Sequence, residues 1–379
     1  MPFKSQAQRR KFATMTSSMR MLTLALCVAG SASLVAQDQA PLLPPPRANA
    51  PAPSISSPDD PGLPALIATC ETPPPPRRAA APNAGRGGPP PGARAYTVSE
   101  IPGVIAAGQR WTFLWQEAGN NGDGIVGTDD GGVLIAQNDN SKVIKLKDGK
   151  TPVVYSDTHT GGSLSFNSKG ALFIVERGLR TAITQLTPRH AILANRYHGD
   201  PLDCVTGPNP NDLSADSKGG VYFTMGGVFY ASPQGVVTRY GENITPNGII
   251  LSANEKILYV TNGPTLAAFD IQHDGSLTNQ REFARLEGGG NGDGSTIDAA
   301  GRIYVTTNPG VQVISPDGKY LGIIPTPRPV ISAAFGGRDK RTLFVLARGA
   351  RAASGNEVAN AAQVYAVPLI ARGYKGRAK

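Results

Sequence analysis

The chain has 379 residues and a formal net charge of +9, but that charge sits at its ends. Residues 1 to 95 carry ten Lys or Arg against four acids, and Arg372 to Lys379 add four more bases, which leaves about −1 for everything between. A phosphate-backbone partner needs a basic excess on the folded domain, so nucleic acid is excluded as a partner. Three cysteines are too few for a disulfide framework.

Residues 1–36 read as an export signal: the basic stretch MPFKSQAQRRKFATMTSSMR, the apolar MLTLALCVAG, then the small-residue segment SASLVAQ. The apolar run is too short to span a bilayer, so no integral membrane segment is expected after signal cleavage. Arg9, Arg10, Lys11 and Phe12 resemble a twin-arginine signal, and the general secretory route fits equally well. The expected location is periplasmic or secreted. Leu26 is bulky where a lipobox needs a small residue before its cysteine, which argues against lipidation at Cys27.

Residues 37–95 form a Pro, Ala, Gly and Arg tract with PLLPPPR, TPPPPRR and GGPPPGAR. Such a composition lacks the apolar side chains needed to offset ordering entropy and predicts a disordered linker. Cys70 within it has Cys204 as a partner in an oxidising compartment, although Cys204 reads more simply as a semi-buried thiol. Trp111 and Trp115 precede the first repeat and are expected to close the domain.

From residue 96 to 371 one phrase recurs six times, before a basic tail at 372–379. The copies are NGDGIVGTDDGGVLIAQ from Asn121, GGSLSFNSKGALFIVE from Gly161, PNDLSADSKGGVYFT from Pro210, PNGIILSANEKILYVT from Pro246, NGDGSTIDAAGRIYVT from Asn291 and ISAAFGGRDKRTLFVLA from Ile331. Asp123, Gly162, Asn211, Asn247, Asp293 and Ser332 fall at one phase, at steps of 39, 49, 36, 46 and 39 residues. That spacing suits one four-stranded propeller blade. VLIAQ, LFIVE, VYFT, ILYVT, IYVTT and LFVLA are short, β-branched and aromatic, and the turns between them are rich in Gly, Asn, Asp and Ser. The fold class is therefore all-β, a six-bladed β-propeller.

In a propeller the start of each innermost strand faces the central tunnel, so one phase of the repeat converges on one place. Four of the six phase positions are Asp123, Asn211, Asn247 and Asp293, two carboxylates and two amides offering oxygen alone. This suits one hard divalent cation, Ca²⁺ above all, with Zn²⁺, Mg²⁺ or Mn²⁺ as other fits. Asn-Gly and Asp-Gly are also common turn dipeptides, but each repeat has its own turn five or six residues later.

The phrases PNDL with VYFT, PNGI followed by KILYVT, GDG followed by GRIYVTT, VQVISPDGKYLGIIPTP and AAFGGRDKRTLFVLA together resemble the senescence marker protein, gluconolactonase and luciferin-regenerating enzyme family over about residues 100 to 370. The resemblance implies a six-bladed propeller with one divalent metal in its tunnel and hydrolysis of sugar lactones or related esters. Matching motifs would give the metal-ligand roles to Asp123, Asn247 and Asp293, with Asn211 nearby as ligand or substrate contact. Asp293 would be general base or nucleophile. The family's first-blade acid is usually Glu, but placing Glu117 there needs a six-residue slip, so Asp123 is preferred. Sugar-lactone members commonly carry a basic residue before the PND Asn, and GPNPND here has none, which counts against a sugar-acid substrate.

His159, three residues before Gly162, and His198, in the loop before PND, are further substrate-binding candidates. Glu176, Arg177 and Arg180 in VERGLR read as a solvated ion pair at a strand end. No GxSxG, HExxH or Walker A phrase is present. The expected function is metal-dependent opening of a lactone or ester. Hydrolysis of an organophosphate or aryl ester is the enzymatic alternative, and a non-catalytic binding propeller with a structural cation is the other. Gly162 and Ser332 leave two places in the ring open for substrate.

Overall fold

A computed structural model describes residues 40–45, 52–74, 92–205 and 209–376. The export signal, much of the Pro-rich linker and the last three residues of the basic tail lie outside the described residues. Six four-stranded antiparallel sheets form the blades of a propeller, joined by one small hairpin, Arg196–Tyr197 with Asp200–Pro201. The innermost strands are Ile125–Gly127, Leu164–Phe166, Leu213–Ala215, Pro246–Leu251, Ser295–Ile297 and Val330–Gly336. Each packs beside the innermost strand of the next blade, and the sixth returns to the first.

The ring is closed by exchange of one strand. Thr112–Ala118, which precedes blade one in sequence, pairs with Glu357–Pro368 as the outermost strand of blade six. Trp111 anchors this closure, buried and donating its indole N–H to the carbonyl of Pro325 at 2.8 Å. Trp115 packs at the interface of blades six and one.

Period-two alternation builds the core. Val221 and Phe223 pack toward blade two, whereas Tyr222 between them packs toward blade four. Alternate residues of one strand thus fill the interfaces on its two sides, which is why VYFT and IYVT are apolar throughout. Six apolar clusters result, one at each blade interface.

The common phase is visible in the backbone hydrogen bonds. The N–H of Asp123 donates to Ala136, that of Gly162 to Val175, that of Asn211 to Thr224 and that of Asp293 to Thr306, at 2.8–3.0 Å. The glycines that follow three of the phase residues do not make turns. A Cβ on Gly124 would lie 2.8 Å from the backbone of Leu164 and Ser163, and one on Gly248 would lie 2.0 Å from the carbonyl oxygen of Asp293. Glycine is needed there because innermost strands of neighbouring blades nearly touch. Gly248→Ala is accordingly expected to cost about 1–3 kcal/mol of overpacking, read as a lower urea midpoint at unchanged slope.

Thr224, Thr261 and Thr306, the last residues of VYFT, LYVT and YVT, hold the blades in register. Their hydroxyls donate to the carbonyls of Asn247 at 2.6 Å, Asp293 at 3.3 Å and Ile331 at 3.0 Å, each in the following blade. Blade two has Val175 at this position and no hydroxyl to give, and another side chain makes the tie.

Within the expected linker, residues 52–74 are ordered against the propeller, with one helical turn at Leu63–Ile67. Cys70 and Cys204 are joined in a disulfide, with their Cα atoms 5.9 Å apart. The expectation of a free Cys204 thiol is corrected: composition alone does not reveal that the backbone of Glu71 and Thr72 docks on Asp200, four residues before Cys204.

Candidate active site

Four phase residues meet at the axis. Asn211 and Asn247 share an amide hydrogen bond. Asp123 and Asp293 lie close enough that the charge of one raises the pKa of the other. Glu117 is not among them: it stands on the outermost strand of blade six, paired with Lys142 at 3.4 Å and hydrogen-bonded by Gln137.

A residue that sequence reasoning set on the surface lies at the centre. Arg177 is buried, and its Nη2 pairs with the carboxylate of Asp123 while donating to Asn211 Oδ1 at 2.9 Å. Its Nε donates to the carbonyl of Pro210 at 2.8 Å, and Nη2 also reaches the carbonyl of Asn211. The guanidinium thereby makes the tie to the next blade that a threonine hydroxyl makes elsewhere. The solvated ion pair expected for VERGLR is corrected, because the strand ends at Glu176 and the next residue turns inward.

Gly162 explains how a long side chain fits there. A Cβ at Gly162 would lie 2.4 Å from Arg177 Cζ, so the position in the ring that blade two leaves without a side chain is filled by this guanidinium. The expectation that Gly162 keeps a place open for substrate is therefore corrected. Ser332, at the sixth position, is buried in the innermost strand of blade six. Two signals in the sequence pointed to Arg177: a bare glycine at the phase position, and the loss of the terminal threonine in LFIVE.

Asp293 is the electrostatic outlier. Desolvation deep in the tunnel, reinforced by the negative charge of Asp123, pushes its carboxyl up to about 7, against the opposing pull of Arg348 and Arg177. The shift is carried by burial and by charges alone. Asp212, beside Asn211, is occupied structurally: it accepts from Ser163 Oγ and from the N–H groups of Leu213 and Ile249, both at 2.9 Å.

The two histidines stay outside the ring. His159 has a 68% exposed side chain, with Nδ1 3.6 Å from the buried Glu176, while its backbone carbonyl accepts from the N–H groups of Arg177 and Gly178. Burial raises the pKa of Glu176, and His159 opposes the rise. His198 is exposed at the turn of the small hairpin, with Tyr197 against its ring. Beside Arg177 and Asn211, the ring residues it touches, opens a cavity of about 750 Å³ lined also by Asn138, Asn209 and, from the Pro-rich tract, residues 53–56, 58 and 59. Neither histidine lines it.

Among the described residues no group of three or more His, Cys, Asp or Glu side chains is gathered to hold a metal. The ring offers a different donor set: two carboxylates and the amide oxygens of Asn211 and Asn247. A raised carboxyl beside a second acid is what such a site shows when its negative charge lacks a partner. The donors therefore fit one hard cation at Asp293 and Asn247, with Arg177 already engaging Asp123 and Asn211.

A six-bladed propeller with acidic and amide side chains converging on its axis defines the class. This chain belongs to the SMP-30/Gluconolactonase/LRE-like family, whose model matches residues 154–348. It is 26% identical over 211 residues to a gluconolactonase of Zymomonas mobilis, covering 47% of this chain and 58% of that protein. The chain thus spans little more than half the length of that relative. In three dimensions it resembles a gluconolactonase of Xanthomonas campestris, with TM-score 0.59 and 23% identity over 74% of this chain and 95% of the other. It also resembles regucalcin of Agrobacterium tumefaciens, described as a calcium-binding protein, with TM-score 0.55 and 18% identity over 70% and 98% of the two chains. At these identities the structural likenesses establish the fold.

Proposed function

We propose that the protein hydrolyses a lactone, with Asp293 as the general base. The observation that carries this reading is the desolvated carboxyl of Asp293, raised to about 7 in the cation-free protein, in the ring of Asp123, Asn211, Asn247 and Arg177. A base is most effective when its pKa lies near the working pH. The Zymomonas relative, a gluconolactonase by name, supports the choice of a lactone as the ester.

Asp293 in its ionised form takes a proton from water as the oxygen adds to the ring carbonyl. Charge then develops on the carbonyl oxygen, and the Arg177 guanidinium with the Asn211 amide are the donors nearest the ring to receive it. Asp293 next returns the proton to the leaving ring oxygen, which opens the lactone to a hydroxy acid. Asp293 and Asn247 would hold a divalent cation, joined by Asp123 and Asn211 only where Arg177 gives them up, and it would be Ca²⁺ by donor chemistry and by analogy with regucalcin. Such a cation supplies Lewis acidity at the carbonyl oxygen. Arg177 supplies beside Asn211 the positive charge that the GPNPND phrase lacks, so polar sugar-type lactones belong in the substrate class.

The test is turnover of aldonolactones, aryl esters and phosphotriesters with and without chelator. Lactone opening that falls at least tenfold with chelator and returns with Ca²⁺ is the expected result. Turnover confined to phosphotriesters or aryl esters would move the chemistry to those substrates, and none on any of them would leave a binding propeller. We further infer export to an oxidising compartment, supported by the Cys70–Cys204 disulfide.

A further inference from the structure

The ordered part of the Pro-rich tract packs on blades one and two beside Arg177. Ser54 donates its N–H to the carbonyl of Asp139 at 2.6 Å and shares a hydroxyl hydrogen bond with Ser141 at 2.6 Å. Thr160 Oγ1 donates to the carbonyl of Ile55 at 3.1 Å. Ser57 is buried, gives its N–H to the carbonyl of Arg177 at 2.7 Å and its hydroxyl to Asp203. The strap is therefore bonded to blades one and two, and directly to the residue whose side chain enters the ring.

Its far end is fixed twice. The Cys70–Cys204 disulfide ties it covalently to the connection between blades two and three. Immediately beyond, Asp200 accepts the N–H groups of Glu71 and Thr72 at 2.8 and 3.0 Å. Between these anchors and Ser54, the strap lines the 750 Å³ cavity together with Arg177 and Asn211. Ile55, 52% exposed, is an apolar side chain on that wall, and Asp59 is a carboxylate on it held by Ser56 at 2.9 Å.

We propose that residues Ser54 to Asp59 are the outer wall of the substrate pocket, pinned by the Cys70–Cys204 disulfide, and that this wall sets the upper size of substrate. The proposal rests on the lactonase reading for the identity of that substrate, but access to the cavity is independent of it. A pocket of this volume, closed on one side by hydroxyls, a carboxylate and one isoleucine, admits a compact polar ring and turns away a lactone with a long acyl or aryl arm. Cutting the disulfide removes the covalent tie of the wall and leaves it held by individual hydrogen bonds to Asp200 and to blades one and two.

Access is measured on an Asn209→Cys variant, which places a thiol in the cavity lining. With the disulfide intact, a small maleimide labels it readily and a polyethylene-glycol maleimide slowly. In the Cys70→Ser, Cys204→Ser background the rate for the bulky reagent is expected to rise at least tenfold, with the small reagent little changed. Equal rates for the bulky reagent in both backgrounds overturn the proposal. Should the double variant fail to fold, as judged by its circular dichroism, Ile55→Trp provides the opposite perturbation. It is expected to slow bulky labelling and raise KM for lactone, and unchanged values of both overturn the wall. A second readout is selectivity: kcat/KM for an arylalkyl lactone relative to an aldonolactone rises at least fivefold on loss of the disulfide, and an unchanged ratio overturns the size limit. Labelling as expected with no lactone turnover sinks the hydrolase reading alone.

Discussion

Asp293→Asn is expected to abolish lactone opening, by roughly 10²–10⁴-fold in kcat, and at the same time to stabilise the cation-free protein above pH 7. The two effects have one source. The carboxyl of Asp293 is raised from an ordinary Asp value to about 7 by burial and by Asp123. Between about pH 4 and pH 7 the folded protein therefore holds a proton that the unfolded chain has lost. Fewer protons on the unfolded state mean that stability falls as pH rises through this window, and the favourable contribution is gone above about 7. Ionising that carboxyl in the tunnel therefore costs on the order of 1–4 kcal/mol. Asparagine carries no charge to desolvate, so the variant should exceed wild type in urea stability at pH 8 and approach it only near pH 4. Millimolar Ca²⁺ should raise wild-type stability at pH 8 and leave the variant nearly unmoved. In the chelated protein, single-turnover hydrolysis should rise with pH to about 7 and then level. An Asp293→Asn enzyme with full turnover removes Asp293 from the chemistry.

Blade number was legible because it depends on period alone. Repeats such as NGDG with GRIYVTT carry alternate apolar residues that must fill interfaces on both sides, so their count is the count of blades. The phase residues were legible for the same reason: a shared backbone hydrogen bond places Asp123, Gly162, Asn211 and Asp293 at one height. Arg177 was missed because it lies outside that phase. It follows the second strand of blade two and enters the ring through the gap at Gly162, so the bare glycine and the missing threonine mark an empty place without naming the side chain that fills it. The strap was missed for a related reason. Ser57, Cys70 and Glu71 sit among prolines, and their ordering comes from Asp203, Cys204 and Asp200, more than 100 residues away. Composition describes what a segment can bury by itself and is silent on anchors supplied by another part of the chain.

The arginine also fixes the sign of the second large effect. Replacing Arg177 with leucine leaves Asp123 facing Asp293 without its buried counter-charge, and removes the ties to Pro210 and Asn211. Breaking a buried pair costs about 3–5 kcal/mol, so the cation-free variant should lose roughly a fifth or more of a typical domain's stability. Divalent cation binding should move the other way. The Arg177 guanidinium already occupies Asp123 and Asn211 and would repel a cation held beside them, so Ca²⁺ affinity in Arg177→Leu should tighten at least tenfold by calorimetry. Turnover should nonetheless fall by about 10²–10³-fold, because the donor beside Asn211 is lost. Gly162→Ala tests the same geometry without deleting the charge. Its Cβ would stand 2.4 Å from the guanidinium carbon and displace the side chain from the ring, so it should reproduce both the tighter Ca²⁺ binding and the slower turnover in smaller measure. Weaker Ca²⁺ binding in both variants would instead make Arg177 the residue that holds Asp123 and Asn211 in place for the cation, and only the turnover loss would survive from this account.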